Sequence, residues 1–274
     1  MPVWICEACA VEYPESVEPP RECPICLDER QFVPPSGQAW TTLEELSAAG
    51  QRVELDEVEP DLFALWTIPA VGIGQHAHLV RTSGGNLLWD PPGYVDEAIV
   101  ERLRDIGGVS AIVASHPHMY GAQVSWSRML DDAPVYVAKV DRAWVQREDE
   151  CIRSWSGDLE VLPGVTLRIV GGHFPGSAVV HWAAGAGGKG VLLSGDTIFP
   201  GPSERWVTFL RSYPNVIPMS GAVIERVVTA TNDFRYDRIY GNFGNTVRTD
   251  ARAAVRRSAD RYIAWVNGDF DHLT

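Results

Sequence analysis

Ser115-His116-Pro117-His118-Met119-Tyr120-Gly121, directly after the apolar run Val109-Ser110-Ala111-Ile112-Val113-Ala114, is the stretch that decides how this chain is read. A buried strand that ends in two histidines one residue apart delivers two imidazoles from a rigid edge, and neutral imidazole is a common ligand for zinc and iron. Alone, such a pair is more often a surface accident than half a metal site. Two later stretches shift the balance. Gly171-Gly172-His173-Phe174-Pro175-Gly176-Ser177 and Leu192-Leu193-Ser194-Gly195-Asp196-Thr197 each set one metal-competent side chain in a glycine-bearing turn beside an apolar strand.

With 274 residues, 45% of them hydrophobic, the chain has material for one large core and a small appendage. No apolar run approaches the roughly 20 residues that span a bilayer. The start, Met1-Pro2-Val3-Trp4-Ile5-Cys6, lacks the basic n-region and long apolar stretch of a secretory signal, so a cytoplasmic protein without a membrane partner is expected. The formal charge of -13, from 36 acidic and 23 basic residues, repels polyanions and argues against nucleic acid as a partner. Arg248, Arg252, Arg256, Arg257 and Arg261 are interleaved with Asp250 and Asp260, which reads as a solvated helix face.

Four of the five cysteines fall within the first 26 residues as two Cys-x-x-Cys pairs, Cys6/Cys9 and Cys23/Cys26, a distribution that argues for metal and against disulfides. Two such knuckles facing each other supply four thiolates in a tetrahedron. Pro14, Pro19 and Pro20 lie between them with little apolar content, so residues 1–35 read as a separate module folded by its metal, with Pro34-Pro35-Ser36-Gly37 as the linker to residues 36–274. Cys151 reads as a partly buried free thiol.

The larger part carries a short helix opened by Thr42 and Glu45 in capping-box spacing, then strands over Leu62–Ile68, His78–Thr82 and Leu87–Trp89. Asp96 caps a helix whose Ile99, Val100, Leu103 and Ile106 recur at helical spacing. Strands follow over Val109–Ala114, Val135–Ala138, Leu159–Leu162, Val165–Val170, Ala178–Trp182 and Val191–Leu193, with helices over Ala122–Leu130 and Asp141–Gln146 between them. Beyond Asp196 no periodicity is clear until a helix over Ala222–Thr229, a strand over Asp237–Tyr240 and a final helix over Asp250–Val266. His76, His78 and His181 read as hydrogen-bonded structural residues, and His272 as part of a frayed tail.

Residues 1–35 resemble a zinc ribbon of the rubredoxin-like kind. Rubredoxin holds iron and carries glycine after each knuckle; Ala10 and Leu27 stand there in this chain, which favours structural zinc. Taken together, Asn86-Leu87-Leu88-Trp89-Asp90, the His116–Tyr120 loop, the His173 turn and Ser194-Gly195-Asp196-Thr197 resemble the metallo-β-lactamase fold superfamily over about residues 60–265. That resemblance implies an α/β fold, a four-layer αββα sandwich with the metals at one edge. It implies His116, His118 and His173 as ligands and Asp196 as the bridging carboxylate. It also marks departures: Tyr120 stands where the family has Asp, Gly121 where it has His, and Gly241-Asn242-Phe243-Gly244-Asn245 lacks the last His, so the second metal site is degenerate.

One zinc or iron ion is therefore expected at the three imidazoles, an arrangement that lowers the pKa of a bound water to about 7 and makes it a nucleophile. Asp196 and Tyr120 are the candidate catalytic residues, Tyr120 as a proton donor or substrate-orienting group, or else as packing at the loop base. Three functions follow as expectations: a mononuclear metallo-hydrolase of small or neutral esters, thioesters or lactones; a catalytically reduced protein of the same fold that binds a protein partner through its ribbon; and a non-haem iron redox protein.

Overall fold

The computed structural model describes residues 1–274. Strands β1 (Val3–Cys6), β2 (Glu12–Glu15) and β3 (Trp40–Thr41), with one helical turn α1 (Pro24–Leu27), make the ribbon. Helix α2 (Leu43–Ala48) carries the expected capping box, Thr42 accepting from Glu45 N–H while the Glu45 carboxylate accepts from Thr42 N–H. Then come β4 (Arg52–Glu59), β5 (Leu62–Ile68), β6 (Ala77–Thr82), β7 (Gly85–Trp89), α3 (Glu97–Asp105), β8 (Ala111–Val113), α4 (Gln123–Met129), β9 (Val135–Ala138) and β10 (Ile152–Trp155). The second half runs β11 (Asp158–Leu162), β12 (Val165–Ile169), β13 (Ala178–Trp182), the glycine turn α5 (Gly185–Gly188) and β14 (Val191–Leu193). Four short strands, β15 (Phe199–Pro200), β16 (Val207–Thr208), β17 (Leu210–Ser212) and β18 (Ile217–Pro218), precede α6 (Gly221–Thr231), β19 (Arg238–Tyr240), β20 (Thr246–Val247) and α7 (Ala251–Val266). No helix is long and apolar enough to cross a membrane.

Two sheets form the body, one in the order β10-β9-β8-β7-β6-β5-β4 and the other β11-β12-β13-β14-β19-β20. Alternation along the strands assigns every apolar residue to a layer, because successive side chains point to opposite faces. Leu87 and Trp89 of β7, Ala111 and Val113 of β8, and Val191 and Leu193 of β14 meet between the sheets. Leu88 and Ile112 face the other way, onto α3, α4 and the ribbon. Leu192 and Val179 turn outward under α6 and α7. Three cores thus separate four layers, the αββα sandwich expected from sequence.

The ribbon departs from the expectation of a tethered module ending at residue 35. Trp40 and Thr41 return to pair with Cys6 and Ile5, so the Pro34–Gly37 stretch is a loop within the ribbon and its sheet gains a third strand. Nor is its metal all that holds it: Ile5, Val11, Tyr13 and Ile25 are buried in the same core as Leu65, Leu79, Val100 and Trp126. The Glu12 carboxylate, 2% exposed, accepts from the Val124 and Ser125 N–H groups at the start of α4 and pairs with Arg147. Gly72 lies so close that a Cβ there would meet the Ala10 Cβ at 2.6 Å, so the turn beside the first knuckle packs onto the body only because that position has no side chain.

Candidate metal centre

Strands β7, β8, β9 and β10 run parallel, as do β14 and β19. Loops at the C-terminal ends of such strands are where open α/β sheets place their sites. Asp90 follows β7, His116 follows β8, Asp196 follows β14 and Asn242 follows β19. The Asp90 carboxylate, fully buried, accepts from the Ser115 N–H and from Asn242 Nδ2, which fixes the start of the histidine loop to both halves. Burial pushes its pKa up to about 7 despite those hydrogen bonds and the nearby His116.

His116, His118, His173 and Asp196 converge, each offering one ligand atom within 4.8 Å of all the others. His118 Nδ1 lies 3.2 Å from His173 Nε2, and His116 Nε2 lies 3.5 Å from Asp196 Oδ2. Bonds of 2.0–2.1 Å in a tetrahedron put ligand atoms about 3.3 Å apart, so the spacing fits one cation at their centre. One converging atom, His116 Nε2, is buried without a hydrogen-bond partner, as a ligand atom awaiting a cation would be. Second partners set the tautomers. The His173 Nδ1 is 3.1 Å from the Leu210 carbonyl, which makes Nδ1–H the donor, and His116 Nδ1 is 2.8 Å from Ser115 Oγ.

Burial lowers His118 well below the ordinary histidine value and His173 to about 3, the charge of His116 adding to both, so these two imidazoles are neutral and ready to bind a cation at pH 7. For Asp196 burial acts to raise the pKa, but His116 and His173 outweigh it and leave the carboxylate below its usual range. The four thiolates form the second cluster, with Cys6–Cys26 and Cys9–Cys23 sulfurs each 3.6 Å apart. A zinc tetrahedron with 2.3 Å bonds calls for about 3.8 Å. Cys6 and Cys23 are held below the ordinary thiol value and Cys9 and Cys26 above it, chiefly by hydrogen bonds among the sulfurs.

Tyr120, the second candidate catalytic residue, is not brought to the cluster. It is 2% exposed, packed in the core below the loop, and its hydroxyl donates to the Asp141 carbonyl at 3.1 Å. A phenol so placed has its one partner and packs at the loop base. Gly121 has φ 49°, and a Cβ built on it would meet the Pro91 carbonyl at 2.4 Å, so no ligand side chain fits there. Asn242 is fully buried and spends its Nδ2 on Asp90 and the His76 carbonyl. The loop positions Tyr120 and Gly121, where the sequence departs from the family it resembles, are thus occupied by structure.

Sequence reasoning missed the residues that surround the cluster. A cavity of about 390 Å³ opens above His118, His173 and Asp196, and Phe199, Tyr213 and Phe243 line it on the side of the body. Arg30, Gln31 and Phe32 of the ribbon line it on the other. Arg30 donates to the His173 carbonyl and lies 3.6 Å over the Phe174 ring, which stacks on His116. Residues 29–31 are clamped by the loop that sequence left without pattern: Ser212 Oγ donates to the Arg30 carbonyl, and Asn215 Nδ2 to those of Glu29 and Gln31. Nothing in the spacing after Cys26 signals this, because the contacts span more than 180 residues of chain.

Comparison with known proteins agrees with this architecture. Residues 71–263 match the family model of the metallo-beta-lactamase superfamily, and the chain belongs to that family. Among curated proteins it is 41% identical over 274 residues to the uncharacterized protein YmaE of Bacillus subtilis (strain 168), covering 99% of this chain and 100% of that one. Solved structures share the fold at low identity. The VMB-1 structure superposes with a TM-score of 0.58 at 15% identity, over 78% of this chain and 98% of that one. The DIM-1 metallo-beta-lactamase does so with a TM-score of 0.58 at 14% identity, over 77% and 97%.

Proposed function

We propose that the chain is a mononuclear metal-dependent hydrolase of small, neutral acyl substrates of the ester, thioester or lactone class, with zinc at both clusters and a cytoplasmic working environment. The observation that carries this reading is the convergence of three imidazoles and one carboxylate, with buried atoms left unpartnered, at the floor of an open cavity. A divalent cation held there supplies Lewis acidity and brings the pKa of a water it holds to about 7. His116, His118 and His173 would hold that cation, the Ser115 hydroxyl and the Leu210 carbonyl fixing the rings of His116 and His173. The Asp196 carboxylate, ionised at neutral pH, has Oδ1 free to accept a proton or orient a water beside the acyl carbon. Phe199, Tyr213 and Phe243 shelter the substrate from bulk solvent.

Metal analysis of the purified full-length protein should find about one ion beyond that of the four thiolates, and His116→Ala should remove it together with turnover of generic nitrophenyl esters. Full occupancy in that variant would refute the site. The filled positions of Tyr120 and Gly121 favour one further reading, a protein of this fold with little turnover that acts by binding. An intact ion count with no hydrolysis across ester, thioester and lactone panels selects that reading.

A further inference from the structure

The cavity above the imidazoles is completed by the ribbon, whose residues after the second knuckle form a wall of it. Arg30 is the cation in that wall, and its donors are committed. Its Nε and Nη2 pair with the Asp28 carboxylate, Nη1 donates to the His173 carbonyl at 3.4 Å, and its plane covers Phe174. The wall therefore offers no free counter-charge to a carboxylate or phosphate held against it. Gln31 differs. It is 6% exposed and lines the cavity; its Oε1 is buried without a hydrogen-bond partner, and its Nε2 donates to no group of the protein. A buried carboxamide left unpaired is costly unless something else meets it. The Tyr213 hydroxyl is already given to the Asp196 carbonyl at 2.8 Å, so among these lining side chains Gln31 is the uncommitted neutral polar group. Phe32, 49% exposed, stands beside it at the mouth with Phe243, 38% exposed.

We propose that this ribbon-derived wall selects the substrate: Gln31 Nε2 donates a hydrogen bond to a neutral acceptor oxygen of the acyl portion, while Phe32 with Phe199 and Phe243 holds an aryl or alkyl chain. The ligands are then uncharged aryl-alkyl acyl compounds. The inference rests on the hydrolase reading only in taking the ligand to be an acyl compound.

Calorimetric titration of the metal-loaded, full-length protein tests it with an uncleavable pair, 4-phenylbutyramide and the same amide carrying a carboxylate at the far end of the ring. The neutral amide is expected to bind at least about tenfold more tightly. Gln31→Leu should weaken it by about 3- to 10-fold, the worth of one hydrogen bond. The same variant should keep or raise the melting temperature, because an unpaired buried carboxamide is replaced by an apolar side chain of similar size. Phe32→Ala, at an exposed position, should weaken the amide as well. Equal or tighter binding of the carboxylate, no binding of either compound, unchanged affinity in Gln31→Leu, or unfolding of that variant would each overturn the proposal. Ester turnover indifferent to Gln31 would sink this wall and leave the hydrolase; selective amide binding without any turnover would do the reverse.

Discussion

Arg30 joins three parts of the molecule at one side chain: it closes on Asp28 in the ribbon, holds the His173 carbonyl in the body, and covers the ring that packs on His116. Groups that orient metal ligands from behind are typically worth about 10- to 100-fold in affinity. Arg30→Ala should therefore loosen an ion at the imidazoles by about that factor in a chelator competition, with any ion at the four cysteines retained. Lysine should not rescue it, because an ammonium cannot reproduce the planar, stacked fork. Retained affinity in both variants would remove Arg30 from the site.

His78 makes a different prediction at the same scale. It is 3% exposed, its Nδ1 has no partner, and burial, with His76 adding to it, lowers its pKa to about 3. The unfolded chain binds a proton near pH 6.5 while the folded one refuses it until about pH 3. Stability therefore falls as pH drops through that window, by about 1.4 kcal/mol per pH unit for this residue. His78→Leu should flatten the loss between pH 7 and pH 5 by up to about 2 kcal/mol in denaturant melts. An unchanged slope would mean that the imidazole protonates in the folded protein.

Among the elements, α4 shows how the ribbon and body are locked. Its first turn has no capping side chain of its own; Glu12, from β2, supplies the acceptor from far along the chain. Breaking a buried pair by removing one partner costs about 3–5 kcal/mol. Glu12→Ala should lose about that much in equilibrium denaturation, since it strands Arg147 and two N–H groups, and a loss under 1 kcal/mol would show water taking the carboxylate's place.

Elements with local signals were legible. The Thr42 box, the Asp96 cap and the strands at Leu62–Ile68, Val135–Ala138, Ala178–Trp182 and Val191–Leu193 stand where their patterns put them. Edge and clamp elements were not. Strand β4 reads Arg-Val-Glu-Leu-Asp-Glu-Val-Glu, where outward acids mask the inward Val53 and Leu55, and β17 and β18 are too short to carry a period. The candidate ligands His116, His118, His173 and Asp196 could be named because the histidine pair ends an apolar strand, His173 and Asp196 sit in glycine-bearing turns beside apolar strands, and together these stretches resemble the family's motifs. Tyr120 misled because a loop position says nothing of which way a ring points, and Gln31 carries no local mark at all.

Taken whole, the molecule is a sandwich whose cavity is walled on one side by the ribbon that carries the four-cysteine cluster. Because the knuckle cysteines belong to the core shared with Leu65, Leu79 and Val100, Cys9→Ser should lower the stability of the entire chain. Calorimetry is expected to show one transition, shifted down, with the imidazole-site ion lost alongside the thiolate ion. Two separate transitions, the second at the original temperature, would make the ribbon an independent module.

The most direct test of the account is anomalous diffraction from crystals of the full-length protein, with data on both sides of the zinc edge. The account predicts two peaks, one among Cys6, Cys9, Cys23 and Cys26 and one among His116, His118, His173 and Asp196. A further peak beyond Asp196, held by groups assigned here to structure, or an imidazole cluster without any peak, would contradict it.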